Sequence, residues 1–158
     1  MGLKKGDLSE SCSSFSFLGS WHANLIYIDR RKCILFVNDK TLFNFLAPDV
    51  RKAEITDLGK LFLSYLTCVL ASENIEDSVI DKVLSEYRDL AFSGTSNKSV
   101  LGSMNDLAFH YKHLILDSGS IHSADVPDII HKLNHMPMGA IEYKYAIDAL
   151  KVLYGIKT

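Results

Sequence analysis

Residues 21–38, WHANLIYIDRRKCILFVN, decide how the rest of the chain is read. Residues 21–28 and 33–37 are rich in aromatic and branched side chains, which fit a pleated, half-buried surface. Between them lies the charged run Asp29-Arg30-Arg31-Lys32. The pattern predicts an antiparallel hairpin with Ile28 opposite Cys33, Ile26 opposite Leu35 and Asn24 opposite Val37. Side chains alternate, so Trp21, Ala23, Leu25 and Tyr27 then share the other face with Ile34 and Phe36. Both faces are largely apolar, whereas a solvated hairpin would be polar on one side; cover on both faces is therefore expected. The turn holds neither Gly nor Asn. A longer loop on a type I turn opening at Asp29 is expected rather than a tight primed turn.

At 158 residues the chain is long enough for one domain with a real core. Its 47% hydrophobic and 23% charged residues place it among ordinary soluble globular domains. A formal net charge of −2 and a pI near 6.3 exclude a global pull toward nucleic acid or anionic lipid. Nucleic acid is left only a local basic turn. The three cysteines, Cys12, Cys33 and Cys68, are odd in number and lack CxxC spacing. That argues against a zinc knuckle or a disulfide framework and for reduced thiols in a cytoplasm. The first twenty residues have no apolar core of a secretory signal, and Gly6 stands where a myristoylation site needs Ser or Thr. The longest apolar run, within 61–71, is broken by Ser64 and Thr67 and is too short for a bilayer, so no membrane partner is expected.

Residues 1–16 are polar and Ser-rich and are expected as a flexible N-terminal segment, with Phe15 and Phe17 as tethers or a short third strand. Residues 17–158 are read as a single domain. Asp39 is expected to cap a helix over 40–46, stopped by Pro48. Residues 49–56 read as a connection. Thr56 is the expected cap of a helix to about Ser72 that is apolar nearly all round, hence central and buried. Further helices are predicted over 76–91, about 99–116 with a core stripe of Val100, Met104, Leu107, Tyr111 and Leu114, a short one from Ser123 or Asp125, and about 141–154 with Gly155 beyond its end. Residues 92–98 read as a loop. The sum is an α+β fold: a mostly helical single domain packed around an antiparallel β-hairpin or small sheet.

Four stretches carry polar chemistry. Asn105 and Asp106 precede His110 and His113 at helical spacing, with Gly102 one turn before. Asp106 beside His110 is an acid–base or metal-binding pair in the sharper reading and a plain surface pair in the other. Gly102, costly inside a helix, is expected to let the hairpin backbone approach closely. His22 and Asn24 lie on one strand face, either lining a pocket or satisfying neighbouring backbone groups. Arg30, Arg31 and Lys32 form a basic tip able to contact phosphate. His131 and His135, near Met136 and Met138, are four apart, but no neighbouring carboxylate or Cys completes a ligand set, so this segment reads as a loop between helices. No metal and no cofactor is expected.

The blocks WHANL, DRRKC, LFVND, SVLGSMND and MPMGAIEYKY together resemble a bacterial family of domains of unknown function. The resemblance runs from Trp21 to the C-terminus and implies a bacterial cytoplasmic domain without bringing an activity. No complete catalytic constellation is present, and no HExxH, GxSxG or P-loop spacing. The first reading is a non-catalytic interaction or regulatory module with a protein or small-molecule partner. The alternative is a small hydrolase or nuclease-like enzyme on a phosphate-containing substrate, with Asp106 and His110 doing the chemistry and the basic turn holding the anion. The enzyme requires His22, Asn24, Asn105, Asp106 and His110 to converge on one pocket.

Overall fold

The computed structural model describes residues 9–12, 18–87, 92–94 and 98–157, with the side chains of 9–12, 92–94, 98 and 100 left aside. Strands β1 (Ser9–Cys12), β2 (Trp21–Ile28), β3 (Arg31–Asn38), β4 (Asn44–Ala47) and β5 (Phe92–Gly94) form one antiparallel sheet in the order β4-β3-β2-β1-β5. The helices are α1 (Lys52–Thr56), α2 (Leu58–Ser72), α3 (Asp77–Glu86), α4 (Lys98–Asp117), α5 (Val126–Asn134) and α6 (Ala146–Leu153). A second sheet pairs β6 (Pro137–Met138) with β7 (Lys144–Tyr145) around a 3-10 turn at Gly139–Ile141. The protein is thus a single α+β domain, mostly helical, around an antiparallel sheet.

The hairpin is the centre of that sheet, with a register two residues tighter than expected. Ile28 faces Arg31, Ile26 faces Cys33 and Asn24 faces Leu35. A two-residue shift preserves parity, so each side chain stays on its expected face. The turn is the tight primed kind after all: Asp29 and Arg30 both sit at positive φ, 53° and 62°. Aspartate tolerates this conformation, and here its carboxylate also accepts the Ile121 N–H at 3.2 Å.

The expected helix over 40–46 is a turn followed by the strand β4 instead. The Asn38 side chain accepts from the Lys40 N–H, the Thr41 N–H and the Thr41 hydroxyl, closing a local turn that competes with a helix. Leu42 is left-handed (φ 59°), and the chain reverses into β4 with Phe45 opposite Phe36. The Asn38 amide also donates to the Leu18 and Ser20 carbonyls, fixing the approach to β2.

Both faces of the hairpin are covered, as its apolar pattern requires. On the Trp21 face α2 contributes Phe62, 5.2 Å from the Trp21 ring and 5.4 Å from Phe36, with Phe45 completing the cluster. Helix α2 is less enclosed than its composition implied: Lys60, Ser64 and Cys68 are exposed, and α5 buries a larger share, five of nine residues against six of fifteen. Its cap is Asp57, accepting from the Lys60 N–H, because residues 52–56 already form α1. The other face, bearing Asn24, Ile26, Leu35 and Asn44, is covered by α4 and α5. Helix α4 buries Met104, Leu107, Tyr111 and Ile115; Leu114 is only partly buried, and the Val100 side chain lies outside the described residues.

Other limits shift. Helix α3 stops at Glu86, and α6 starts at Ala146, because 137–145 form the small hairpin. Gly155 does end the last helix, at φ 67° with Ile156 N–H bonded back to Lys151. Of the expected loop over 92–98, residues 92–94 form β5, and 95–97 lie outside the described residues, as do Phe15, Phe17 and Leu90.

Gly102 does not serve close packing. It is exposed, and a Cβ placed there meets nothing within 4 Å among the described residues. Gly102→Ala should therefore raise stability by about 0.5–1 kcal/mol in denaturant titration, whereas a loss would restore the close-approach reading. Leu66, fully buried on α2, should cost about 2–5 kcal/mol as Leu66→Ala.

Candidate functional site

The open edge of β4 organises the polar interior. Asn134, the last residue of α5, accepts the Asn44 N–H at 3.0 Å and donates to the Asn44 carbonyl at 2.7 Å. One amide side chain thereby does for an edge residue what a further strand would do. The Tyr111 hydroxyl on α4 donates to Asn44 Oδ1 at 2.7 Å, and the Asn44 amide donates to the Leu42 carbonyl and toward Asn134 Oδ1. Burial pushes the Tyr111 phenol well above its ordinary pKa, so it remains a donor at any physiological pH.

This network sets the rotation of α5, and the positions flanking Asn134 carry its ionisable groups. His131 and the C-cap residue His135 stand on one face, their ring centroids 4.1 Å apart. Between α5 and the end of α2 lies Glu73, only 6% exposed. His131 Nδ1 is 2.9 Å from Glu73 Oε1, and His135 Nε2 is 2.9 Å from Glu73 Oε2. The carboxylate accepts from both rings. The histidines are thus on a helix and its cap rather than in the expected loop. The missing carboxylate comes from 58 residues upstream of His131, beyond the reach of any local motif. Its one sequence signal is an acid placed just past a helix C-terminus, where the helix dipole disfavours it.

Beside this cluster the small hairpin and α6 enclose an open groove of about 790 Å³. Its apolar surface includes Ile141, Tyr145, Val152 and Leu153, and its rim carries Lys40, Glu142, Lys144 and Asp148. Tyr143 also lines it and is 75% exposed. Glu142 and Tyr143 are successive left-handed residues (φ 58° and 61°). Each such non-glycine residue costs on the order of 1–2 kcal/mol, and strain of this kind gathers at functional sites. The Tyr143 N–H donates to Met138 O at 2.8 Å, which holds the conformation. Tyr145 joins the two regions, its ring 6.2 Å from that of His135.

The residues singled out in sequence fall in several places. Asn24 and Asn105 do share a shallow depression between β2 and α4, with Lys112 and Phe109 beside them. His22 is buried with neither ring nitrogen hydrogen-bonded among the described residues, and Asp39 Oδ2 lies 3.8 Å from its Nε2. Asp106 is exposed and, among the described residues, makes no bond to His110; the i,i+4 pair on this helix is His113 with Asp117, at 3.3 Å. His110 instead packs its ring against Phe109. Arg30 and Arg31 are exposed at the hairpin tip, Lys32 is half-buried, and Arg31 lies 3.8 Å from Asp49. That tip meets the chain beyond the C-terminal end of α4, through Ile121. The eleven residues from Asp106 to Asp117 span about 16 Å of helix axis, so the basic tip and Asp106 do not share a site.

The chain belongs to the family described as Domain of unknown function (DUF6933), whose model matches residues 1–149. The match takes in residues 1–20, which the sequence resemblance left out. No curated protein and no solved structure matches the chain. No helix among the described residues is long and apolar enough to cross a membrane.

Two measurements check this geometry. Asn134→Ala strips the partner from a buried edge amide and carbonyl and should cost about 1–3 kcal/mol or more in equilibrium unfolding. Cys33 and Cys68 are both free; burial raises the Cys33 thiol above its usual pKa, and Cys68 is exposed. In a Cys12→Ser background, native thiol labelling should modify Cys68 quickly and Cys33 only on unfolding. Equal rates would mean that β3 is not enclosed.

Proposed function

We propose that this member of the family is a bacterial cytoplasmic interaction module whose groove takes an apolar segment of a partner protein. The single observation that carries the reading is Tyr143. It is a large aromatic side chain held three-quarters exposed in a strained backbone conformation, over an apolar groove. Such an arrangement lowers stability unless something binds there. The apolar centre with a rim of both charges has the anatomy of a protein interface, where tyrosine is enriched. Glu142 and Asp148 on that rim disfavour a nucleic-acid backbone. The free Cys33 and Cys68 fit a reducing cytoplasm. The hydrolase alternative draws no support from Asp106, which makes no bond to His110 among the described residues, or from the basic tip, which meets the chain beyond α4.

A photo-crosslinking residue at Val152, expressed in the cells that make the protein, tests the proposal. The expected result is an adduct with a distinct protein, absent when the same residue replaces the exposed Lys60 of α2. Tyr143→Gly should abolish the adduct while leaving thermal stability unchanged or higher, because glycine accepts positive φ without strain. Absence of an adduct, an adduct only with a second copy of this chain, or full retention in Tyr143→Gly overturns it.

A further inference from the structure

The cluster Glu73, His131 and His135 is not explained by docking in the groove. Its chemistry begins with burial. A carboxylate removed from water needs a compensating cation, and among the described residues the side chains within bonding distance of Glu73 are the two imidazoles. Its position adds to that need. Glu73 caps the C-terminal end of α2, a helix of fifteen residues, and His135 caps the C-terminal end of α5, of nine. Both helices direct the negative ends of their dipoles at the same point. Two helix termini and a buried carboxylate create a field that favours positive charge there.

We propose that Glu73, His131 and His135 form a binding site for a divalent first-row transition ion of the zinc class. The donor atoms facing one another are Glu73 Oε1 and Oε2, His131 Nδ1 and His135 Nε2, and one such atom from each residue lies within 4.8 Å of the other two. Tetrahedral ligands about 2.1 Å from zinc stand roughly 3.4 Å apart. The carboxylate–imidazole separations of 2.9 Å, one to each oxygen, widen by about half an ångström to that spacing, and the two ring nitrogens already lie within 4.8 Å of each other. His131 and His135 are one helical turn apart, so both reach the same side of α5 without backbone change. Imidazole with carboxylate suits zinc, cobalt, nickel, copper or iron(II) rather than calcium or magnesium, which prefer all-oxygen shells. The His131 side chain is 53% exposed, so the remaining coordination position opens to solvent or an exchangeable ligand. In the ion-free protein, ring N–H groups occupy the same carboxylate oxygens, and metal binding displaces those protons.

The test uses the full chain, stripped with chelator and titrated with zinc at neutral pH against a chromophoric competitor. One zinc per chain is expected, with a rise in thermal midpoint on loading. Glu73→Gln and His135→Asn should each weaken zinc by about a hundredfold or more, while His113→Asn, which removes the surface pair on α4, should leave it unchanged. X-ray absorption at the zinc edge should show two imidazoles and oxygen in the first shell. If Glu73→Gln does not fold, His131→Asn, whose ring is more than half exposed, decides the same point. Failure of the wild-type chain to bind zinc stoichiometrically, or binding undiminished in the ligand variants, overturns the proposal. Because the crosslinking readout at Val152 involves no metal, the two proposals stand or fall separately.

Discussion

The contact on which most of the architecture depends is a single amide lying along a strand edge. Asn134 gives Asn44 both a donor and an acceptor, which an edge strand otherwise leaves to water. Had α5 met β4 through apolar packing alone, its rotation about its own axis would be loosely specified. Two directional bonds to one residue fix rotation and height together. The Tyr111 hydroxyl then ties α4 to the same point. Three elements distant in sequence thus share one satisfied polar network in an otherwise apolar layer. Such networks specify a unique arrangement when every member is satisfied.

The two faces of the sheet are built on different physics. The Trp21 face is aromatic, with Phe36, Phe45 and Phe62 in tilted and edge contacts that depend on area and ring geometry. The opposite face mixes aliphatic packing with buried amides. The left-handed Asp29 and Arg30 turn closes the hairpin at the far end, and the Asp29 carboxylate anchors the chain leaving α4. The tip of the hairpin is therefore secured by a side chain that also holds the exit of a helix, and its open end by the Asn38 amide, which holds the approach to β2.

What was legible in the sequence follows from the range of each signal. Alternation over 21–37 is a local signal, and it placed every hairpin side chain on its proper face even with the register off by two. Helix α4 and the cap at Asp125, which accepts the Asp128 N–H, were similarly local. Residues 40–46 misled because Asp39 looks like a cap, while Asn38 one position earlier takes the backbone donors first. Gly102 misled because a glycine in a helix has two explanations, close packing or indifference, and only the space around it separates them. Glu73 was illegible for another reason. The two histidines were seen as a pair, but their carboxylate is supplied by a helix that reaches them only through packing across the edge of β4. Likewise Asn24 with Asn105 was readable as a shared face, whereas Asp106 turns outward on the same helix and His110 is half-buried beside Phe109.

The same chain of contacts carries the amide network into the surface features. From Asn134 to Pro137 is three residues, and within them His135 faces Glu73 while the backbone turns into β6. Strand β7 returns Tyr145 to within ring contact of His135 and passes directly into α6. No flexible linker intervenes between the buried amide, the carboxylate–histidine cluster and the strained turn bearing Tyr143. His135 thus stands between α5, bonded to β4 at Asn134, and the β6–β7 pair, whose Met138 is buried in the core. Whatever sits between Glu73 and the histidines therefore lies one ring contact from the groove, through His135 and the groove-lining Tyr145.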